Sequence, residues 1–228
     1  MQWPSSQRSG LEKKTDAVVP QVGICTLCEV FSAAASDGSG SAFALSMLPK
    51  RAGPLFWVQD SLSAKEAGRP YLPGLKMDRP LIHITLSRAA DVLWAMEEAL
   101  GCATLGAVIG ELWGAPPSLD FTATRRLAMR AEAGNLPCWL IRHAATPDLS
   151  AARSRWRITS LPSETHPHDG QAPGNPRWKV DLFRSRQTPP GTWVATHDRA
   201  ADRISFSATF RDGAVAEADA TAGQRAAG

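Results

Sequence analysis

The stretch Phe31-Ser-Ala-Ala-Ala-Ser-Asp-Gly-Ser-Gly-Ser-Ala-Phe-Ala-Leu45 has the layout of a phosphate-binding loop: an apolar strand, a turn of small residues and a short helical pattern. A functional loop reads G-x-x-x-x-G-K-[ST], in which the lysine contacts the β- and γ-phosphates and the hydroxyl ligates Mg²⁺. Here Gly40 is followed by Ser41 and Ala42, and the negative charge of Asp37 would oppose a triphosphate. The stretch therefore predicts a nucleotide-hydrolase scaffold without its lysine, and a protein that is not an enzyme.

Outward from this loop, apolar strands alternate with helical patterns. The predicted strands are nearly continuously apolar, as expected for strands covered on both faces, and they span residues 22–31, 55–59, 81–86, 106–112 and 138–142. Ser87 caps one predicted helix, which stops at Gly101. Asp120 caps another, which ends at Gly134 and turns Phe121 inward. This alternation is typical of βαβ units, so we predict a three-layer α/β domain with a mainly parallel sheet.

After about residue 150 the pattern changes to half-exposed strands at 153–158, 176–183 and 191–197, with an exposed loop at 162–175. We interpret this segment as an antiparallel extension of the same sheet. Because side chains alternate along a strand, the tryptophans should lie on one face and most cations on the other. The candidate contact residues for a partner or for DNA are Arg153, Arg155, Trp156, Arg157, Arg177, Trp178 and Lys179.

Three interpretations of these basic strands stay open. Like charges opposed across strands destabilise a sheet, so such a face should attract anions. The anions are either nucleic-acid phosphates or the carboxylates of an acidic protein partner. A charged outer face is also routine on a sheet, so a solvated surface without a partner explains the same pattern.

Length and composition are those of one domain with extensions. The 228 residues are 43% hydrophobic, and the formal net charge of +3 permits contact with nucleic acid without requiring it. We predict a disordered segment at 1–18, a domain at 19–198 whose β-rich extension is 150–198, and a flexible tail at 199–228. No apolar run approaches the roughly 20 residues of a membrane helix, and no signal region is evident, so we expect a cytoplasmic protein.

Candidate metal ligands are few. Cys25 and Cys28 form a C-x-x-C pair, which could serve redox chemistry or half a zinc site. In an extended segment residues three apart point to opposite faces, and no second close pair exists, so buried thiols are the simpler interpretation. His166 and His168 lie in a loop without a further ligand in sequence reach. We predict neither a metal nor a cofactor.

Several segments together resemble the ImuA family, the RecA-related accessory proteins of bacterial damage-inducible mutagenesis. These segments are DVLWAMEEAL (91–100), VIGELWG (108–114), LDFTATRRL (119–127) and the paired strands RWRI (155–158) and RWKV (177–180). The likeness covers roughly residues 22–198, and Glu111 stands where a Walker-B acid would lie. The segment before the first strand departs from the family, because it is shorter and carries two cysteines.

The resemblance implies a RecA-like fold with a vestigial nucleotide loop, whose residues are Asp37, Gly38, Gly40, Ser41 and Glu111. It implies a role in the SOS response beside ImuB, a polymerase-like protein without catalytic function, and the error-prone ImuC polymerase. RecA and DNA are further partners to expect, with the protein at the nucleoid when it acts on damaged DNA.

Two alternatives to a non-catalytic adaptor stay open. A nucleotide-binding ATPase would need a lysine from elsewhere, such as Lys50, and would use Glu111, with Asp60 nearby, to hold a metal-bound water. A DNA-binding module would use the basic strands instead. The simpler interpretation of the two acids is that they cap loops or pair with arginines.

Overall fold

The computed structural model describes residues 26–34, 36–75 and 79–208. The helices of these residues are α1 (Ser39–Ser46), α2 (Ser61–Glu66), α3 (Leu72–Leu75), α4 (Ala89–Ala99) and α5 (Phe121–Ala133). The strands are β1 (Leu27–Ser32), β2 (Leu55–Asp60), β3 (Leu81–Leu86), β4 (Ala107–Trp113), β5 (Cys138–His143), β6 (Ser154–Leu161), β7 (Thr165–His166), β8 (Asp169–Pro173), β9 (Arg177–Ser185), β10 (Gly191–Asp198) and β11 (Arg203–Ala208). The predictions for residues 1–18, for the start of the first strand at residues 22–25 with Cys25, and for residues 209–228 of the tail lie outside the described residues.

One large sheet organises the fold. Its strand order is β11-β10-β9-β6-β1-β5-β4-β2-β3. All neighbours from β3 across to β6 run parallel, whereas β9, β10 and β11 are added antiparallel. The predicted α/β class, with a mainly parallel sheet and an antiparallel C-terminal extension, is confirmed. β1 lies between β5 and β6, so the loop that follows β1 emerges near the middle of the sheet.

Each face of the sheet has its own hydrophobic core, because the side chains of a strand alternate between the faces. On one face α4 and α5 pack on the parallel strands, with Val92, Met96 and Leu127 fully or almost fully buried. On the other face α1 inserts Phe43 among buried tryptophans. The tryptophans of this second core are Trp57, Trp139, Trp156, Trp178 and Trp193.

The helix ends follow the sequence signals closely. Asp120 caps α5 by accepting a 2.7 Å hydrogen bond from the amide of Ala123, and Gly134 is the C-cap, as predicted. α4 begins one residue later than predicted, at a cap formed by Arg88 and not Ser87. Phe121 was expected to face inward but is 42% exposed, because the inward stripe of α5 begins at Ala123. None of the helices in the described ranges is long and apolar enough to cross a membrane.

The C-terminal part of the domain is longer than predicted. The flexible tail was expected to begin at residue 199, but residues 203–208 form β11 and pair with β10. Ile204 and Phe206 pack against the tryptophan-rich core, which is the physical reason for the order of this strand. The segment 162–175, expected to be a loop, contains the small antiparallel pair of β7 and β8.

Candidate functional site

The loop between β1 and α1 closes tightly on the sheet. Asp37 does not point away from the loop: its Oδ1 accepts hydrogen bonds of 2.9 Å from the amide of Ser39 and from the hydroxyl of Ser160. Gly38 occupies the N-cap position of α1. A side chain on Gly40 would place a Cβ 2.7 Å from the hydroxyl oxygen of Ser32, so any other residue would require the Ser32 side chain to move. A carboxylate of the protein therefore takes an amide that a bound phosphate would use.

Glu111 is the centre of a buried polar network. Its Oε1 accepts hydrogen bonds from the hydroxyl of Ser41 at 3.1 Å and from the indole of Trp57 at 3.0 Å. Its Oε2 is bonded to the amide of Gln59 at 2.7 Å and to Nε2 of His143 at 3.0 Å. Glu111 is only 2% exposed. Since every one of these partners can donate, the arrangement suits an ionised, acceptor-only carboxylate whose two oxygens are both occupied.

The network extends to β3 at the edge of the sheet. The amide nitrogen of Gln59 also donates to the carbonyl of Gly68 at 3.0 Å, and its Oε1 lies 2.8 Å from Nε2 of His83. Burial, together with the nearby charge of Arg69, lowers the pKa of His83 below its ordinary value. A neutral His83 then donates to Gln59, which orients the Gln59 amide group toward Glu111.

Asp60 is held away from this network by its own contacts. Its Oδ1 accepts from the amide of Ser63 at 2.6 Å, which caps α2, and its Oδ2 accepts from the amide of Trp113 at 3.0 Å. Asp60 therefore ties the ends of β2 and β4 together. The interpretation that both acids cap loops or pair with arginines is therefore only approached: Asp60 caps a helix, and Glu111 contacts no arginine.

Two members of the network were missed in the sequence. Gln59 and His143 are polar residues near or at the ends of strands whose first four residues are apolar, one on β2 and one on β5. A polar side chain in such a strand must find a buried partner, and this could have marked both of them. Nothing in the sequence relates them to Glu111, because the partners are separated by 52 and 32 residues.

The predicted basic strands do pair, through β6 and β9. Trp156 and Trp178 are 0% and 4% exposed and belong to the second core. Arg155 is buried too, and its Nε lies 2.7 Å from Oε2 of Glu29 on β1. Arg153 pairs with Glu132 of α5, with its Nη2 3.0 Å from Oε2. These side chains hold the extension on the domain.

Four of the predicted contact residues are not buried. One of them, Arg153, is tied to Glu132, and we call the other three the basic face. They are Arg157 on β6 and Arg177 and Lys179 on β9. Arg157 lies opposite Asp181 and pairs with it at 3.0 Å, whereas Lys179 lies opposite Thr159. Alternation predicts that Arg155, Arg157, Arg177 and Lys179 converge on one face. They do not, because Arg155 is paired with Glu29 and the others are interleaved with neutral and acidic neighbours.

The cysteines in the described ranges differ sharply in chemistry. Cys28 and Cys138 are buried, and burial raises the pKa of Cys28 to about 12 and that of Cys138 well above its ordinary value. Cys102 is exposed, and its side-chain hydrogen bond with Thr104 lowers the pKa of its thiol. Since the thiolate is the reactive form, accessibility and pKa both favour Cys102.

We therefore expect Cys102 to react within minutes with a disulfide reagent at pH 8, while Cys28 and Cys138 react only after unfolding. The measurement is thiol titration with and without urea in a Cys25→Ser background, since Cys25 lies outside the described residues. Cys102→Ser is the control and should abolish the fast phase. A fast phase that survives this substitution would contradict the burial of the other two thiols.

The remaining candidate ligands form no metal site in the part of the chain that is described. His166 and His168 lie 6.0 Å apart between their ring centroids, in and beside β7. No group of three or more His, Cys, Asp or Glu side chains within the described ranges is arranged to hold a metal ion.

The known proteins that are similar to this chain carry the same name, Protein ImuA. No family model matches the chain. Protein ImuA of Caulobacter vibrioides, strain NA1000 / CB15N, is 32% identical to it over 216 residues, which covers 83% of this chain and 84% of the relative. Protein ImuA of the strain ATCC 19089 / CIP 103742 / CB 15 of the same species gives the same values. The likeness therefore extends over most of both chains.

Proposed function

The chain belongs to the ImuA family, and from this premise we propose that it is a non-catalytic, RecA-like adaptor in DNA-damage-induced mutagenesis. In this role it binds an ImuB-type polymerase-like protein, and RecA or DNA in addition, in support of error-prone translesion synthesis. It works in the cytoplasm, at the nucleoid when DNA is damaged. The observation that carries the non-catalytic part is the complete occupation of both Glu111 carboxylate oxygens by protein donors.

The geometry around the β1–α1 loop supports a nucleotide-hydrolase ancestry. The loop follows a central parallel strand and leads into α1, and Ser41 of that helix reaches Glu111 on β4 at 3.1 Å. A phosphate loop and a Walker-B acid would meet in this way around a nucleotide and its Mg²⁺. Here the serine contacts the acid directly. Ser41 therefore takes the place beside the acid that a metal ion and its bound water would have in an ancestral site.

The position of Lys50 speaks against an ATPase with a relocated lysine. Its ammonium lies 3.5 Å from a carboxylate oxygen of Asp202, in the turn between β10 and β11. Both side chains are largely exposed, so the pair contributes little to stability. The pair nevertheless places the ammonium of Lys50 beside Asp202 and not beside the loop that precedes α1.

We assign partner binding to the basic face. Its cations are anchored from below by Trp156 and Trp178, so the backbone that presents them is fixed. In the described residues, Arg177 and Lys179 make no ion pair, which leaves both charges available to a partner. Rim charges of this kind steer association and set partner choice.

The test is co-purification and titration with the cognate ImuB. Arg177→Glu/Lys179→Glu is expected to weaken binding roughly tenfold or more, because two attractive contacts become repulsive. The matched control is Arg125→Glu/Lys65→Glu, which reverses one exposed arginine and one exposed lysine elsewhere, for the same change in net charge. Substitution is preferable to truncation here, since β6 and β9 are integral strands of the sheet.

Each outcome addresses a separate part of the proposal. If the intact chain fails to bind ImuB, the adaptor role is wrong. If both double variants bind as the intact chain does, only the assignment to the basic face is wrong. ATP hydrolysis that is abolished by Glu111→Gln would overturn the non-catalytic part, and DNA affinity that falls steeply with salt would favour the DNA-binding alternative.

A further inference from the structure

A cavity of about 230 Å³ lies apart from the vestigial loop and from the basic face. It is enclosed by the connection between β4 and α5, the connection between β5 and β6, and the first turn of α5. Its charged floor consists of Glu29, Arg142 and Arg155, each at most 5% exposed. Its apolar wall consists of Ala115, Pro116, Pro117, Leu119 and Leu149.

The buried charges on this floor are not balanced. Glu29 is engaged by Arg155 at 2.7 Å, which leaves Arg142 without a carboxylate of its own among the described residues. The Nη2 of Arg142 donates to the carbonyl of Gly114 at 2.8 Å, whereas its Nε, Nη2 of Arg155 and Oε1 of Glu29 are buried without a hydrogen-bond partner. Burial lowers the pKa of Arg142, which expresses the cost of this charge.

Aromatic rings support the guanidinium groups but do not neutralise them. Arg142 lies 5.6 Å and Arg155 5.4 Å from the ring centroid of Phe31, and Arg155 also lies 5.3 Å from that of Phe183. Such contacts stabilise a cation. The charges of Glu29 and Asp148 also favour the charged form of Arg142, but burial outweighs them. An anion beside Arg142 would therefore stabilise its charge further.

We propose that this cavity receives the carboxylate of an acidic side chain from a protein partner, with Arg142 as its charged contact. The wall of small and proline residues fits the methylenes of a glutamate side chain, and the guanidinium fits its carboxylate. The assignment is independent of the adaptor role and of the basic face.

The mouth of the cavity selects a peptide over a nucleic acid. Asp120 and Asp148 are exposed and line the cavity, and neither makes an ion pair in the described residues. A polyanion would meet these two negative charges before it reached Arg142. A peptide whose glutamate is flanked by basic residues instead places its cations beside them. Leu149, which is 67% exposed at the mouth, offers an apolar contact to such a peptide.

The experiment uses two peptides that differ in one group, acetyl-Ala-Lys-Glu-Lys-Ala-amide and the same peptide with Gln in place of Glu. Calorimetric titration of the full chain should detect binding of the Glu peptide, roughly tenfold or more tighter than that of the Gln peptide, because a charged hydrogen bond is lost. Inorganic phosphate is the third ligand and should not compete. Equal affinity for the two peptides, or no binding of either, would overturn the proposal.

Arg142→Met removes the charge and keeps much of the volume. It should abolish the preference for the Glu peptide without lowering the unfolding temperature of the free chain. Arg126→Met, at an exposed arginine that is paired with Glu97, is the control and should change nothing. If Arg142→Met retains the preference, Arg142 is not the contact and the proposal is wrong.

Asp148→Lys serves where Arg142→Met does not fold, because Asp148 is exposed. It should weaken the binding of the Glu peptide, because the introduced lysine repels the lysines of the peptide. An unchanged or raised affinity would overturn the selection of a base-flanked acidic peptide. Phosphate that competes with the Glu peptide would overturn the choice of a carboxylate and favour nucleic acid.

Discussion

Glu111→Ala is expected to lower the free energy of unfolding by about 4 kcal/mol, since each buried donor left without a partner costs about 1–3 kcal/mol. The substitution removes the acceptor for the indole of Trp57, the amide of Gln59 and the imidazole of His143 at once. Trp57 and Gln59 lie on β2 and His143 lies on β5, so the loss affects both strands that pair with β4. Urea denaturation followed by tryptophan fluorescence measures it, and an unchanged slope would show that the substitution alters stability and not the surface exposed on unfolding.

The control for this prediction is a glutamate of the same charge at the surface. Glu98 on α4 is exposed, and Glu98→Ala should change stability by no more than about 0.5 kcal/mol. Glu111→Gln should fall between the two, because its amide keeps one acceptor oxygen. A loss below about 1 kcal/mol for Glu111→Ala would contradict the buried network, since it would mean that the donors find water instead.

The buried network around Glu111 leaves this acid without an oxygen for a substrate. A buried carboxylate retained for catalysis would keep a free oxygen facing its substrate, whereas the oxygens of Glu111 face Ser41, Trp57, Gln59 and His143. The acid now joins α1 to β4 and β5. In the adaptor that we propose, it holds the scaffold behind the binding surface and takes no part in a reaction.

The elements of the parallel sheet could be predicted because their signals are local. Strands such as β2 and β5 are short apolar runs, and Asp120 and Gly134 mark the two ends of α5 by capping rules that depend on neighbouring residues alone. The misplacement of Phe121 is also local in origin. A residue in the first turn can fit the helical period and still lie beyond the last strand that the helix covers.

The buried ion pairs could not be predicted, because their partners are far apart in the sequence. Arg155 was expected on an outer basic face by simple alternation, but 126 residues separate it from Glu29, the residue that neutralises it. Alternation assigns a side chain to a face and does not say what covers that face. β11 was missed for a related reason, since Ile204 and Phe206 become ordered only through the core that β10 and β9 provide.

Glu29→Ala is the second substitution with a large expected effect. We expect it to lower the free energy of unfolding by about 3–5 kcal/mol, which is the usual cost of removing one partner of a buried ion pair. Glu29 is 0% exposed and is the acid bonded to Arg155 at 2.7 Å. Without it, Arg142 and Arg155 would face each other as two buried cations. Burial and the nearby charge of Arg155 already lower the pKa of Arg142, while the charge of Glu29 opposes this shift.

A double-mutant cycle separates this charge effect from the loss of packing. Glu29→Leu/Arg155→Met replaces both partners by apolar groups of similar size and should recover most of the stability lost in Glu29→Leu, because an apolar pair can equal a buried ion pair. The measurement is urea denaturation of the two single variants and the double variant. If the losses simply add, the two residues act independently and the pair does not fix β6 to β1. Recovery would instead show that Glu29 is needed for charge balance at the floor of the cavity, where the remaining cation, Arg142, still lacks a carboxylate.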